Sequence, residues 1–127
     1  MMFDSDILVW HLRGNTSATS AMEAEPAREI SVVSYMEVLR GVRDKKELRD
    51  VKSFLAEFGF RVLPLSESIG QLAAAYVEKF YLRIRMSVPD ALLAATAAEF
   101  GLPLATGNTK HFPPLDGLDI RPFRVTT

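Results

Sequence analysis

The feature that most constrains the fold of this chain is the alternation of short apolar runs with longer segments of helical periodicity. The apolar runs are too short for helices, and each is bounded by turn or capping residues, which is typical of buried strands. A short run precedes Asp4, and further strands are predicted over residues 30–33, 61–65, 104–106 and, at an edge, 119–122. Strands separated in this way by helices indicate a parallel sheet.

The clearest helical signal follows Ser66, whose hydroxyl suits a helix N-cap. Apolar residues recur there at helical spacing over three turns, from Ile69 to Phe80. Pro89 at the first helical position and Gly101 just after the last predict a second helix over residues 89–100. Other helices are predicted over residues 6–13, 34–41 and 45–58, with a weaker one in the segment 15–28 that ends near Pro26.

These elements predict an α/β/α sandwich with a short, mostly parallel central sheet of four to five strands, covered by helices on both faces. The 127 residues suffice for one domain, so we expect a single domain over residues 1–127. Because 48% of the residues are hydrophobic and 24% are charged, the composition is that of an ordinary globular protein and excludes a disordered chain.

The chain contains no cysteine, which excludes disulfides and thiolate metal sites and favours the cytoplasm. No apolar run has the length of a membrane span. The net charge of −1 argues against a protein that coats nucleic acid non-specifically. Basic residues nevertheless cluster locally, either as one positive face or as solvated helix ends: Arg40, Arg43, Lys45 and Lys46, and then Arg83 and Arg85.

Three carboxylates follow predicted strands or open the helices after them: Asp4, Glu37 and Asp90. Because the carboxyl ends of parallel strands lie along one edge of a sheet, we expect these side chains to converge. Carboxylates a few ångströms apart repel one another, and a hard divalent cation such as Mg²⁺ lets all of them stay ionised. The pattern therefore predicts a shared metal site.

Each acid also has a purely structural explanation. Asp4, Asp6 and Asp90 would place negative charge at helix N-termini, which stabilises each helix by up to about 1 kcal/mol. Glu37 stands three residues after Ser34, in the S-x-x-E spacing of a capping box. Each acid taken alone is therefore compatible with either a metal site or a structural role at a helix N-terminus.

Four segments, in this order and spacing, resemble the PIN-domain ribonucleases, and within them the VapC-type toxins of type II toxin–antitoxin pairs. The resemblance covers almost the full length. The segments are Phe3-Asp4-Ser5-Asp6-Ile7-Leu8; Ile30-Ser31-Val32-Val33-Ser34 leading to Glu37-Val38-Leu39-Arg40-Gly41; Pro89-Asp90-Ala91-Leu92-Leu93-Ala94-Ala95-Thr96-Ala97; and Leu104-Ala105-Thr106-Gly107-Asn108-Thr109-Lys110-His111-Phe112.

The resemblance implies an acidic cluster of Asp4, Glu37 and Asp90 that binds Mg²⁺ or Mn²⁺. Many members have a fourth acid after the next strand, where this chain offers Asn108 and His111, so the resemblance leaves a second metal open. By the same comparison Asp6 faces the cleft and supports the acids, and Thr106 and Asn108 orient the acids or a bound water.

The implied activity is hydrolysis of RNA to a 5′-phosphate and a 3′-hydroxyl, because a bound metal activates water and neutralises phosphoryl charge. The resemblance also implies a homodimer and an antitoxin whose tail blocks the acidic cleft. Bases of single-stranded RNA stack on aromatic and arginine side chains. The candidates for RNA contact are Arg13, Arg40, Arg43, Lys110 and His111, together with Trp10 and His11, for which packing is the alternative.

Two other functions fit the same residues. One is a PIN nuclease outside toxin systems that processes RNA or repairs nucleic acid, and growth arrest on expression distinguishes a toxin from it. The other is a catalytically silent PIN-like module that binds protein or RNA, a function that the missing fourth acid keeps open. A phosphatase of similar layout lacks support, since the expected downstream lysine pattern is absent.

Overall fold

A computed structural model of the chain describes residues 1–115 and 117–125. The strands in that part of the chain are β1 (Met2–Phe3), β2 (Arg28–Ser31), β3 (Phe60–Leu63), β4 (Leu104–Thr106) and β5 (Ile120–Pro122). The α-helices there are α1 (Ser5–Leu12), α2 (Thr16–Glu23), α3 (Val32–Leu39), α4 (Lys45–Glu57), α5 (Glu67–Ile84) and α6 (Val88–Phe100), and a 3-10 turn covers Thr109–His111.

The five strands form one parallel sheet in the order β3-β2-β1-β4-β5. The predicted α/β sandwich with a mostly parallel sheet of four to five strands is confirmed. The chain builds outward from β1 to β3 on one side, and β4 then pairs with the other side of β1. The carboxyl ends of β1 and β4 therefore flank a topological switch point, where α/β proteins place their sites.

The sheet separates two apolar clusters because successive strand residues face opposite sides. Met2 and Leu104 are buried on the side of α5 and α6, whereas Phe3 and Ala105 are buried on the side of α1, α3 and α4. Helix α6 is rich in buried alanine, which allows it to lie close to its neighbours. Asp4 directly follows β1 and Thr106 is the last residue of β4, so both side chains start from a fixed backbone.

The boundary between β2 and α3 differs from the prediction. The strand begins at Arg28 and ends at Ser31, whereas residues 32 and 33 already belong to the helix. Ser31 is the N-cap, and its hydroxyl accepts the Ser34 N–H at 3.0 Å. Ser34 is therefore not the N-cap, so the predicted helix start at Ser34 was wrong, and the capping-box alternative for Glu37 does not apply. Glu37 lies in the second turn of α3, beyond the N-terminal N–H groups that a capping box would bind.

The remaining differences are small. Strand β3 ends at Leu63 instead of residue 65, and Pro89 occupies the second position of α6, after the N-cap Ser87 and Val88. Gly101 ends α6 at a φ of 63°, as its position predicts. Within the described residues, the helices lack the length and apolarity needed to cross a bilayer.

Candidate active site

Asp4 lies at the carboxyl end of β1, and its side chain is held from two directions. The Thr106 hydroxyl donates to Asp4 Oδ2 at 2.7 Å, and the Ser5 N–H donates to Asp4 Oδ1 at 2.7 Å. The Asp4 N–H in turn donates to the Ala105 carbonyl at 2.9 Å. Only 6% of Asp4 is exposed. Backbone and side chain together therefore fix this carboxylate where β1 meets β4.

Asp6 is the second residue of α1 and ties the helix to the end of β4. The Gly107 N–H donates to Asp6 Oδ2 at 2.8 Å. A Cβ at position 107 would stand 2.6 Å from that oxygen, so this close approach requires glycine. Asp6 Oδ1 is buried and has no hydrogen-bond partner among the described residues. A buried carboxylate oxygen without a donor favours a proton or a cation nearby.

Glu37 reaches the same edge from α3 through a serine. The Ser5 hydroxyl lies 3.4 Å from Asp4 Oδ1 and 3.5 Å from Glu37 Oε1, so it stands between the two carboxylates. The Glu37 side chain is exposed, unlike that of Asp4. A long, exposed glutamate can move, and the two contacts with Ser5 are at the limit of a hydrogen bond.

Asp90 reaches this edge from the first turn of α6, where the Ser87 hydroxyl accepts its N–H at 3.2 Å. Its carboxylate Oδ2 lies 3.3 Å from His111 Nδ1, in the 3-10 turn after β4. His111 therefore contacts an acid of the site from the segment where many PIN proteins carry a fourth acid. A neutral imidazole that donates to Asp90 would orient the carboxylate.

The electrostatics show that these acids share one environment. Burial, and then the neighbouring charges of Asp6 and Asp90, raise the pKa of Asp4 to about 6, against the lowering effect of the Thr106 and Ser5 hydrogen bonds. Burial raises the pKa of Asp6. Burial and Asp90 raise the pKa of Glu37, although Ser5 and Arg40 partly offset them. The site therefore favours protons or cations.

The chemistry of this donor set fits a hard divalent cation, because all of the acids offer carboxylate oxygens. The arrangement is open, however. Across residues 1–115 and 117–125, no three acidic or imidazole side chains are placed so that they could hold a metal ion. Asp4, Glu37 and Asp90 thus share an edge of the sheet, but their side chains are not close enough together to form a three-residue metal site. Mg²⁺ commonly keeps several waters and takes one or two carboxylates, which such an open edge can supply.

The supporting residues divide into those at the edge and those elsewhere. Thr106 contacts Asp4 directly, but Asn108 contributes its backbone N–H, which donates to Thr106 Oγ1 at 3.0 Å, instead of its amide side chain. Ser5 and Gly107 were not predicted as site residues. Ser5 belongs to the opening motif of the resemblance. Gly107 was identified only as a turn residue, because the sequence does not show which backbone N–H groups contact a site.

The residues predicted to contact RNA are scattered. Arg40 is exposed near Glu37, Lys110 is exposed in the 3-10 turn, and Arg43 is bound by Glu47. Arg13 lies 5.8 Å from the Trp10 ring centre. His11 stacks on Phe54 with ring centres 4.5 Å apart, and its Nδ1 lies 2.6 Å from the Thr19 hydroxyl, so it has a packing role.

Comparison with known proteins agrees with this geometry. The PIN domain family matches residues 1–117. Ribonuclease VapC10 of Mycobacterium tuberculosis (strain H37Rv) is 39% identical over 130 residues, which cover 98% of this chain and 94% of that protein. The resemblance in the sequence is thereby confirmed.

Solved structures give the same result at the level of the fold. A toxin–antitoxin complex from Klebsiella pneumoniae contains a chain with 30% identity and a TM-score of 0.78, with 98% of both chains covered. VapBC2 from Rickettsia felis, bound to a DNA fragment from its promoter, matches with 22% identity and a TM-score of 0.78, over 97% of this chain and 98% of that one. The chain belongs to the PIN-domain family.

Proposed function

We propose that this protein is a divalent-metal-dependent endoribonuclease that acts as the toxin of a toxin–antitoxin pair in the cytoplasm. The observation that carries the proposal is the fixed, buried Asp4 carboxylate, surrounded by further acids, in a chain 39% identical to a ribonuclease. VapC-type PIN ribonucleases generally depend on a divalent metal. Mg²⁺ or Mn²⁺ is the ion that we propose for these oxygen donors.

The proposed reaction is hydrolysis of an RNA phosphodiester. Water adds to phosphorus, the bond to the 3′ oxygen breaks, and the products carry a 5′-phosphate and a 3′-hydroxyl. A bound divalent cation would activate the water and neutralise charge on the phosphoryl oxygens. Asp4, Glu37 and Asp90 are the residues that would hold it.

The chain's own residues supply orientation. Thr106 and the Ser5 N–H keep Asp4 in one rotamer, so that residue loses little side-chain entropy when a cation binds. Asp6 and Gly107 hold the end of β4 against α1, which keeps Thr106 in position. His111 contacts Asp90 on the far side of the cleft. Preorganised groups of this kind lower the cost of reaching the reactive geometry.

An antitoxin partner is part of the proposal, and it is supported by the toxin–antitoxin complexes among the structural neighbours. A groove of about 440 Å³ lies between α1, α3 and α4. Val9, Val38 and Val51 line it, and Val38 is adjacent to the cleft residue Glu37. We propose that an apolar antitoxin segment binds this groove and that its tail continues into the acidic cleft.

A homodimer also belongs to the proposal. Large apolar side chains are exposed where α5 ends and α6 begins, including Leu82 at 83% and Val88 at 62%. Exposed apolar side chains in one region favour association. Sedimentation of the purified protein at several concentrations tests this, and Leu82→Glu should shift a dimer towards monomer.

The direct test of the function is cleavage of total RNA by antitoxin-free protein with Mg²⁺, Mn²⁺ or EDTA. Asp4→Asn is the inactive variant, and Asp50→Asn is its control, because Asp50 is an exposed acid paired with Lys46 on α4. We expect cleavage with metal in the wild type and in Asp50→Asn only. If all three folded proteins leave RNA intact but bind it, a silent RNA-binding module replaces the nuclease.

A further inference from the structure

We infer that the groove between α2 and the end of β5 binds the RNA strand beside the cleavage site, and that Arg124 contacts a phosphate there. The inference rests on the proposed ribonuclease function and specifies how the substrate is held. Arg124 and the residues of α2 were not among the predicted RNA contacts. The argument rests on position, charge and hydroxyl content.

The groove is open, measures about 520 Å³ and adjoins the acidic edge. Thr16, Ser20 and Arg124 line it together with Phe123. The Phe123 N–H donates to the Thr106 carbonyl at 2.9 Å, and the Phe123 carbonyl would lie 3.4 Å from a Cβ on Gly107. Thr106 and Gly107 hold Asp4 and Asp6, so one wall of the groove is bonded to the site itself.

The separation from the site suits a neighbouring phosphate. Strand order places β4 between β1 and β5. Since neighbouring strands lie about 4.8 Å apart, the carboxyl end of β5 is about 10 Å from that of β1. An arginine side chain after β5 can therefore contact a phosphate near the one at Asp4, and the RNA strand would run across the strand ends.

The charge of Arg124 is available, in contrast to the charges of Arg121 and Arg43. Arg121 is held by Asp119 through three contacts of 2.7 to 3.0 Å, and Arg43 is held by Glu47. Arg124 is exposed and has no ion pair within residues 1–115 and 117–125. An acidic cleft repels RNA, so a free cation beside it offsets that repulsion.

The two grooves differ in a way that separates their ligands. The groove between α1, α3 and α4 has apolar walls, and its two arginines, Arg13 and Arg43, are matched in number by the acids Glu47 and Asp50, of which Glu47 pairs with Arg43. The groove at β5 carries an unbalanced arginine and the exposed hydroxyls of Thr16 and Ser20. Hydroxyls and arginine are the groups that bind phosphate and sugar without reading base sequence.

The test compares Arg124→Ala with Arg121→Ala, since both remove one exposed arginine from the same segment and change the net charge equally. Affinity for a fluorescein-labelled single-stranded RNA is measured in the Asp4→Asn background over a series of salt concentrations. We expect Arg124→Ala to weaken binding about tenfold and to lower the slope of log affinity against log salt by about 0.7, while Arg121→Ala changes little.

A second variant, Thr16→Ala with Ser20→Ala, is tested in the active protein, where it should raise KM more than it lowers kcat. Equal effects of Arg124→Ala and Arg121→Ala on RNA affinity, while the wild type still cuts RNA, would overturn the proposed role of this groove and leave the nuclease function intact. If the parent protein neither binds nor cuts RNA, the proposed function fails and the groove fails with it. Thermal unfolding confirms that every variant is folded.

Discussion

The acidic edge has two unlike halves. On one side Asp4 and Asp6 are anchored between α1 and β4 by hydrogen bonds of 2.7 to 2.8 Å. On the other side Glu37 and Asp90 are more exposed, and their side-chain contacts measure 3.3 to 3.5 Å. In the first, anchored half, hydrogen bonds hold buried carboxylates in place against their mutual repulsion. In the second, open half, the longer contacts restrain the carboxylates less. A site whose carboxylates are held tightly on one side and loosely on the other can close around a cation and a phosphate.

The largest expected effect comes from removing the charge of the anchored half. Asp4→Asn should lower metal-dependent cleavage by at least about 100-fold, since loss of an outer-shell partner alone costs about 10–100-fold. The same variant should raise the free energy of unfolding at pH 7 by about 1 to 3 kcal/mol, because a charge that burial disfavours is gone. Activity and metal-free thermal unfolding measure the two effects.

Asp90→Asn is the matched variant in the open half. It should also abolish cleavage, but its free energy of unfolding should change by less than about 0.5 kcal/mol because the side chain is only partly buried. If Asp90→Asn raised the free energy of unfolding as much as Asp4→Asn, repulsion between the acids would destabilise both halves equally.

The burial of Asp4 should also make the free energy of unfolding depend on pH. The raised pKa of Asp4, about 6, lies above the usual value of 3.8, so the folded protein binds more protons than the unfolded chain between about pH 4 and pH 6. The free energy of unfolding of the metal-free protein should therefore fall by up to about 3 kcal/mol as the pH rises through this range. Above it, the contribution of Asp4 is constant.

Denaturant unfolding from pH 4 to pH 7 measures this curve, and Asp4→Asn should flatten it. Asp50→Asn, which removes an exposed acid, should leave the curve as it is. If the wild type gains stability over the same interval, burial does not dominate the ionisation of Asp4.

Gly107 tests the fit between β4 and α1. In Gly107→Ala the new Cβ would stand 2.6 Å from Asp6 Oδ2, so the Asp6 carboxylate must turn away and lose its hydrogen bond from the N–H of residue 107, at a cost of about 1 to 3 kcal/mol. Cleavage should fall as well, because Thr106 is the preceding residue. Gly70→Ala on α5 is the control, since nothing lies within 4 Å of its Cβ position, and it should stabilise the protein by up to about 1 kcal/mol.

Sequence patterns predicted the anchored half better than the open half. The strand and helix order follows from local periodicity, and the fold in turn fixes the placement of Asp4 and Thr106. Long-range hydrogen bonds such as that from the Gly107 N–H to Asp6 could not be predicted, because every residue has a backbone N–H. The predicted helix start at Ser34 was wrong because Ser31, at the end of β2, caps the same helix three residues earlier.

The open half depends on side-chain orientations that no short motif encodes. His111 appeared in the sequence as an RNA-binding candidate at a position without a fourth acid, and the structure instead places it 3.3 Å from Asp90. The contact joins residues 21 positions apart, so it arises only from packing of the 3-10 turn beside α6.

The smallest predicted effect concerns that contact. If His111 orients Asp90, His111→Ala should weaken Mn²⁺ binding and cleavage by about tenfold, as outer-shell partners do. His111→Gln, which retains a donor, should recover part of both. Lys110→Ala removes a charge from the same turn without a contact to Asp90, and it should leave Mn²⁺ affinity within about twofold. Calorimetry with Mn²⁺ separates the effect on the metal from effects on RNA. If His111→Ala and Lys110→Ala bind Mn²⁺ equally well, Asp90 needs no partner and the open half is held by the cation alone.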